Sequence, residues 1–199
     1  KHYQDDFSTR YLPAAESQPV YSFLDDPAFA CPADVNCVAE ILDRHIAEGN
    51  GHRIALRSEH QSWTYEDLYH KSNQIARVLT EDAGFVSGNR VLIRSANNPM
   101  FVACWFGILK AGGIVVATMP LLRYKELNTI AECAEITHAF CDYRLKVEME
   151  CTDDTFLKTV LYYDGTGQTE QELESRMASK PTDFDNFETG AESIALIGF

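Results

Sequence analysis

The stretch Leu109-Lys110-Ala111-Gly112-Gly113-Ile114-Val115-Val116-Ala117-Thr118-Met119-Pro120 decides the fold. Its front end closes a helix and its back end is a strand. Upstream, Asn97-Asn98-Pro99 marks a helix start, because proline is tolerated at an early helical position. The helix is expected over Met100 to Ala111. Gly112-Gly113 stops it, since glycine reaches the positive φ that a tight helix-to-strand turn needs. Ile114 to Ala117 is short, β-branched and apolar on both faces, the pattern of a strand inside a parallel sheet.

Working outward, the same rhythm repeats. Arg90 to Arg94 reads as the preceding strand. A helix over Leu122 to Ala134 follows, then strands at His138–Cys141 and Thr159–Tyr163. Gln168 to Met177 is an acidic amphipathic helix, and a charged loop from Ser179 to Gly190 leads to a final strand. Alternating strand and helix implies an α/β fold: a parallel, doubly wound sheet flanked by helices, with right-handed crossovers. Before it, Arg53–Ser58 and Ser62–Thr64 form a small β-hairpin. Thr64 then caps a helix, with Asp67 completing a Thr-x-x-Asp box. Leu68, Ser72, Ile75, Ala76, Val78 and Leu79 make its buried stripe, and Gly84 closes it. Asn36 caps an earlier helix whose apolar positions are Val38, Ile41, Leu42 and Ile46.

The organisation reads as an extended N-terminal arm over 1–35 and an α/β subdomain over 36–199. The arm holds four prolines and is expected to be pinned by Phe7, Tyr11, Tyr21, Phe23 and Phe29. At the other end, Ser193 to Phe199 reads as a buried strand entering a turn without a polar cap. The expectation is a severed chain whose open apolar edge pairs with a second copy.

The 199 residues carry a net charge of −13, which excludes non-specific nucleic-acid or anionic-membrane binding, as both need a basic face. No apolar run is long enough to span a bilayer. The N-terminus lacks a signal-peptide core. Cysteines stand at 31, 37, 104, 133, 141 and 151, with no Cys-x-x-Cys pair. All are expected to be reduced thiols in a cytoplasmic protein, with Cys104 and Cys133 acting as small hydrophobes. The six histidines show no metal-ligand spacing, so no metal site is expected. Trp105 and Phe106 read as core.

Three segments in order carry a resemblance. They are Trp63-Thr64-Tyr65-Glu66-Asp67-Leu68, Leu109 to Pro120 and the strand Ala195 to Phe199, about 45 and then about 85 residues apart. Together they resemble the core motifs of the adenylate-forming acyl-CoA synthetases, over nearly the whole chain from Asn36 onward. Gly88-Asn89-Arg90-Val91-Leu92-Ile93, Ala103-Cys104-Trp105-Phe106 and Ala117-Thr118-Met119-Pro120-Leu121-Leu122-Arg123 are similar to the aryl-CoA branch, above all 2-aminobenzoate-CoA and benzoate-CoA ligases. The resemblance implies ATP, Mg²⁺ and CoA as cofactors of the full-length enzyme and an aromatic carboxylic acid as substrate. The reaction is carboxylate adenylation followed by thioester formation.

The first two motifs read physically as an N-cap and a turn, so no residue here is assigned a catalytic role. Thr118 to Pro120 is a candidate lining for the substrate cleft. The family's Ser/Thr/Gly-rich phosphate loop would follow Phe199, and Gly165-Thr166-Gly167 is too short to cradle a triphosphate. The chain alone is therefore expected to bind no cofactor and to adenylate nothing. What the resemblance leaves to these residues is a share of the CoA groove. Arg144 and Lys146, after the strand at His138–Cys141, and Arg123, after the proline turn, are the candidates; a solvated helix face is the other reading of Arg144 and Lys146. A dinucleotide-binding fold is excluded, because Ser95 to Pro99 carries no Gly-x-Gly-x-x-Gly. The alternative to a ligase is a standalone, non-catalytic α/β domain that binds a small ligand or a partner.

Overall fold

The computed structural model describes residues 3–22, 26–29, 32–153 and 155–199. Its centre is a parallel four-stranded sheet of β3 (Arg90–Arg94), β4 (Ile114–Thr118), β5 (His138–Asp142) and β6 (Thr159–Tyr163), in the order β4-β3-β5-β6. The chain leaves β3 in one direction to make β4. It then crosses back over β3 to make β5. That reversal places a topological switch point at the carboxyl ends of β3 and β5, where open α/β sheets bind their ligands.

Side chains alternate across the sheet, as the strand period demands. Val91, Ile93, Val115, Phe140 and Leu161 face one helical layer of α3 (Tyr65–Arg77), α4 (Pro99–Lys110) and α7 (Glu172–Ala178). Leu92, Val116, Ala139 and Cys141 face the other, which holds α5 (Tyr124–Cys133) and α6 (Lys146–Glu150). The expected stripe of α3 is buried throughout, from Leu68 to Leu79. The antiparallel hairpin is β1 (Ile54–Arg57) with β2 (Ser62–Thr64). Thr64 caps α3 through the reciprocal box, its Oγ1 accepting the Asp67 amide at 3.1 Å while Asp67 Oδ2 accepts the Thr64 amide at 2.8 Å. Pro99 opens α4, and Gly112 turns the chain into β4 at φ 79°.

Three buried cations hold the sheet to its surroundings. Lys110 is fully buried and reaches Asp43 Oδ1 at 2.6 Å, beside Asn186 and the ring of Tyr69. Burial pushes its pKa down and Asp43 opposes the shift. Arg90 is 2% exposed; it donates to the carbonyls of Gly88, Ala134 and Glu135 and pairs with Asp5 at 2.8 Å. Arg94 is the third.

The structure refines several expectations. The arm carries the helical turn α1 (Phe7–Arg10), held by buried Phe7 under Arg90 and by the Asp5–Arg90 pair, and 3₁₀ turns at Ala15–Ser17 and Pro27–Phe29. Tyr11 and Tyr21 are exposed, while Phe23 and the side chain of Phe29 lie outside the described residues. The helix after Asn36 is a π-turn over Ala39–Asp43 leading into α2 (Arg44–Ala47). Val38 and Leu42 are buried, but Ile41 is half exposed, because the wider turn swings it off the apolar stripe. Cys133 is exposed at the end of α5, unlike buried Cys104; Cys31 lies outside the described residues. The final apolar segment is not a buried strand. It makes one parallel bridge, Val115 to Leu196, with bonds on both sides of Val115 to Ala195 and Ile197. Leu196 and Phe199 are exposed, since pairing with one edge of the sheet covers only one side of an extended segment.

Candidate functional site

Three loops meet at the switch point. Arg94 ends β3, Met119 to Arg123 follows β4, and a 3₁₀ turn, Tyr143–Leu145, follows β5. They enclose a depression of about 320 Å³ whose wall includes Arg94, Pro120, Arg123, Arg144, Leu145 and Glu148.

Asp142 sits at the end of β5 with no exposed surface. Its carboxylate caps the 3₁₀ turn by accepting the Arg144 amide at 3.1 Å. The same carboxylate takes a two-pronged bond from the Arg144 guanidinium, at 3.0 and 2.6 Å. That fork fixes the side chain in direction, and the bond raises the Arg144 pKa further. The guanidinium itself stays half exposed. Arg123 is 75% exposed and pairs with Glu148 at 2.8 Å. Glu148 also accepts the Tyr124 amide, and Arg123 together with that amide holds its carboxyl below the usual range. An exposed pair of this kind contributes little stability, so Arg123 is free to exchange its partner.

The structure therefore brings Arg123 and Arg144 to one depression. Lys146 is elsewhere: it begins α6 and its Nζ rests on the Tyr143 hydroxyl at 3.0 Å and above that ring. Arg94 was not singled out from the sequence. The available signal was a cation closing a strand, Ile93-Arg94, that is otherwise apolar. Its guanidinium is 1% exposed, and burial lowers its pKa from the usual arginine value. The partly exposed guanidinium groups of Arg123 and Arg144 at one rim suit an anion such as a phosphate, while Arg94 lies buried beneath them with its donors on main-chain carbonyls. Of the expected cleft lining, Pro120 belongs to this depression. Thr118 and Met119 line a neighbouring, largely apolar one of about 310 Å³ with Leu122, Ile130 and Phe199.

The short glycine turn after β6 behaves differently. The Asp164 carboxylate accepts the amides of Thr166, Gln168 and Thr169 and the hydroxyls of Thr166 and Thr169. Burial opposes ionisation, yet these bonds hold Asp164 well below the usual carboxylate range. Most of the turn's donors are thus spent on Asp164, the Gly167 amide on its main-chain carbonyl. Gly165 packs so closely on Asp142 and Asn98 that a Cβ would collide with both.

Among the described residues no group of three or more His, Cys, Asp or Glu is placed to hold a metal ion. No helix among them is long and apolar enough to cross a membrane.

Comparison with known proteins gives the chain a family. The family model described as "AMP-binding enzyme" matches residues 43–199. The uncharacterized acyl-CoA ligase YtcI of Bacillus subtilis is 30% identical over 111 residues, covering 54% of this chain and 21% of that protein. The 3-hydroxybenzoate-CoA/4-hydroxybenzoate-CoA ligase of Thauera aromatica is 32% identical over 83 residues, covering 42% of this chain and 16% of that protein. Among solved structures, the anthranilate CoA ligase AuaEII in complex with anthranoyl-AMP superposes with a TM-score of 0.76 at 20% identity, covering 83% of this chain and 32% of that one. The chain thus spans a third or less of these relatives. It belongs to the AMP-binding enzyme family, whose matching members include acyl- and aryl-CoA ligases.

Proposed function

We propose that this chain is the front part of an ATP-dependent aryl-CoA ligase acting on 2-aminobenzoate or a related aromatic acid, comprising an arm over 1–35 and an α/β subdomain over 36–199. In the first step a carboxylate oxygen attacks the α-phosphorus of ATP, forming the acyl-adenylate as the bond to pyrophosphate breaks. In the second, the CoA thiolate attacks the acyl carbon and AMP departs. Both steps place negative charge on oxygens, so the cations near the site govern binding. The observation that carries the reading is the family match over 43–199, with its arginine-walled depression at the switch point.

Within this reading Arg123 and Arg144 receive phosphate oxygens of CoA, and Lys146, at the start of α6, adds charge from beside the depression. Arg144 is presented by buried Asp142, so its direction is set before the ligand arrives. The satisfied amides of the Asp164 turn support the further proposal that these residues alone bind no ATP and adenylate nothing. An edge-to-edge dimer through 194–199 remains part of the proposal, to be read from sedimentation of the chain.

The test is charge reversal at Arg144 and Lys146 in the intact ligase. The KM for CoA rises and acid-dependent pyrophosphate release is spared. An unchanged KM for CoA refutes the groove. Robust pyrophosphate release by this chain with ATP and 2-aminobenzoate refutes its dependence on further sequence.

A further inference from the structure

We infer that Arg94 is a positioning residue: its buried guanidinium ties the loop after β4 to the turn after β5 and so sets the separation of Arg123 and Arg144. The inference rests on the groove reading above for its functional half and on geometry for the rest.

Arg94 closes the central strand of the switch point, and its described hydrogen-bond acceptors are all main-chain carbonyls. Nη2 donates to Leu122 at 2.8 Å and to Pro120 at 3.2 Å. Nη1 reaches Met119 at 3.4 Å, and Nε reaches Leu145 at 3.4 Å. A buried cation is costly without partners. A leucine would fill a strand end with less penalty. What arginine adds is a rigid fork of five donors that serves two directions at once. Here the two directions are two different loops.

Met119 and Leu121 are 64% and 85% exposed, so the apolar hold on the loop after β4 comes from Leu122, whose carbonyl Arg94 also takes. Each cation at the rim is also the chain neighbour of a clamped carbonyl. Arg123 follows Leu122, and Arg144 precedes Leu145. Moving either carbonyl moves the adjoining guanidinium.

The experiment uses the intact ligase with R94Q, R94K, R123A and R144A, read by hydrogen exchange and by half-reaction kinetics. R94Q is expected to speed amide exchange at 119–123 and at 143–146 while β3 keeps its protection. It is also expected to raise the KM for CoA roughly tenfold, the scale of one lost hydrogen bond to a charged group. Acid- and ATP-dependent pyrophosphate exchange is the internal reference and changes far less. R94K restores part of the effect, because one ammonium cannot serve both loops. Unchanged exchange at both loops overturns the inference. So does an unchanged KM for CoA with R94Q when R123A and R144A both raise it. If R123A and R144A leave that KM unaltered, the groove reading falls, and the exchange data alone then uphold or overturn the clamp. Should R94Q not fold, R94K carries the same two readouts.

Discussion

Removing the Asp5 carboxylate tests how the arm is held. In the native chain Asp5 accepts the Phe7 amide at 2.9 Å and the Asn89 side chain at 2.8 Å, and it pairs with Arg90 at 2.8 Å. Asp5→Ala leaves Arg90 as a buried cation. Deleting one partner of a buried ion pair costs about 3–5 kcal/mol. Three carbonyls still accept from Arg90, and the Glu135 carboxylate lies 3.9 Å away. Those groups retain part of the compensation, so the expected loss is about 2–3 kcal/mol. For a chain of this size that is a fall in Tm of roughly 5–10 °C. The pH dependence has a definite sign. Burial pushes the Asp5 pKa up, but the Phe7 amide, Arg90 and Asn89 outweigh it and hold the carboxyl below its usual range. A group depressed on folding stabilises fully above its unfolded pKa, about 3.9 for aspartate, and loses that contribution as pH falls through the folded value. The gap between wild type and variant is therefore full near pH 7 and closes below about pH 4. Thermal unfolding followed by circular dichroism from pH 7 to pH 3 measures both. A gap under about 0.5 kcal/mol at pH 7, the range of ordinary surface substitutions, refutes the clasp, as does a gap undiminished at pH 3.

Gly112→Ala forces a left-handed backbone on a residue with a Cβ, and that Cβ would lie 2.6 Å from the Phe187 ring. It should cost at least about 1–2 kcal/mol, read from the urea midpoint; a neutral outcome contradicts the turn. Among the described cysteines, Cys133 and Cys151 are exposed, whereas Cys104 and Cys141 are buried with thiol pKa values pushed up by burial, to about 12 for Cys141. A thiol reagent at pH 8 should modify Cys133 and Cys151 rapidly and the buried pair only on unfolding; rapid labelling of Cys104 or Cys141, located by peptide mapping, would disprove the packing.

Features encoded over a few residues were the legible ones. Thr64 and Asp67 cap α3 because their atoms are neighbours along the chain, and Pro99 and Gly112 bracket α4 for the same reason. Apolar runs announced β3 to β6. The order of the strands was hidden, because β3 pairing with both β4 and β5 is decided by packing across the whole sheet. The π-turns at Ala39–Asp43 and Val78–Asp82 were hidden too, since helical spacing does not register one extra residue. At the site, Arg123 and Arg144 were visible as exposed cations near strand ends. Arg94 was not, as its role depends on carbonyls lying 25 to 51 residues away in sequence. Lys146 was named from the resemblance, as a cation after the same strand, and the start of α6 seats its ammonium on Tyr143.

The two ends of the sequence touch. The Tyr3 hydroxyl donates to the Ile194 carbonyl at 2.8 Å, and Asp34 bridges to Gly190. During synthesis, Asp5 can find Arg90 long before those later residues exist. About 100 codons separate Arg90 from Gly190, an interval of roughly 5–20 s on the ribosome. For that time the nascent arm can hold to Ser87, Asn89 and Arg90, and then to Glu135, while its contacts with Gly190 and Ile194 wait for translation to supply them.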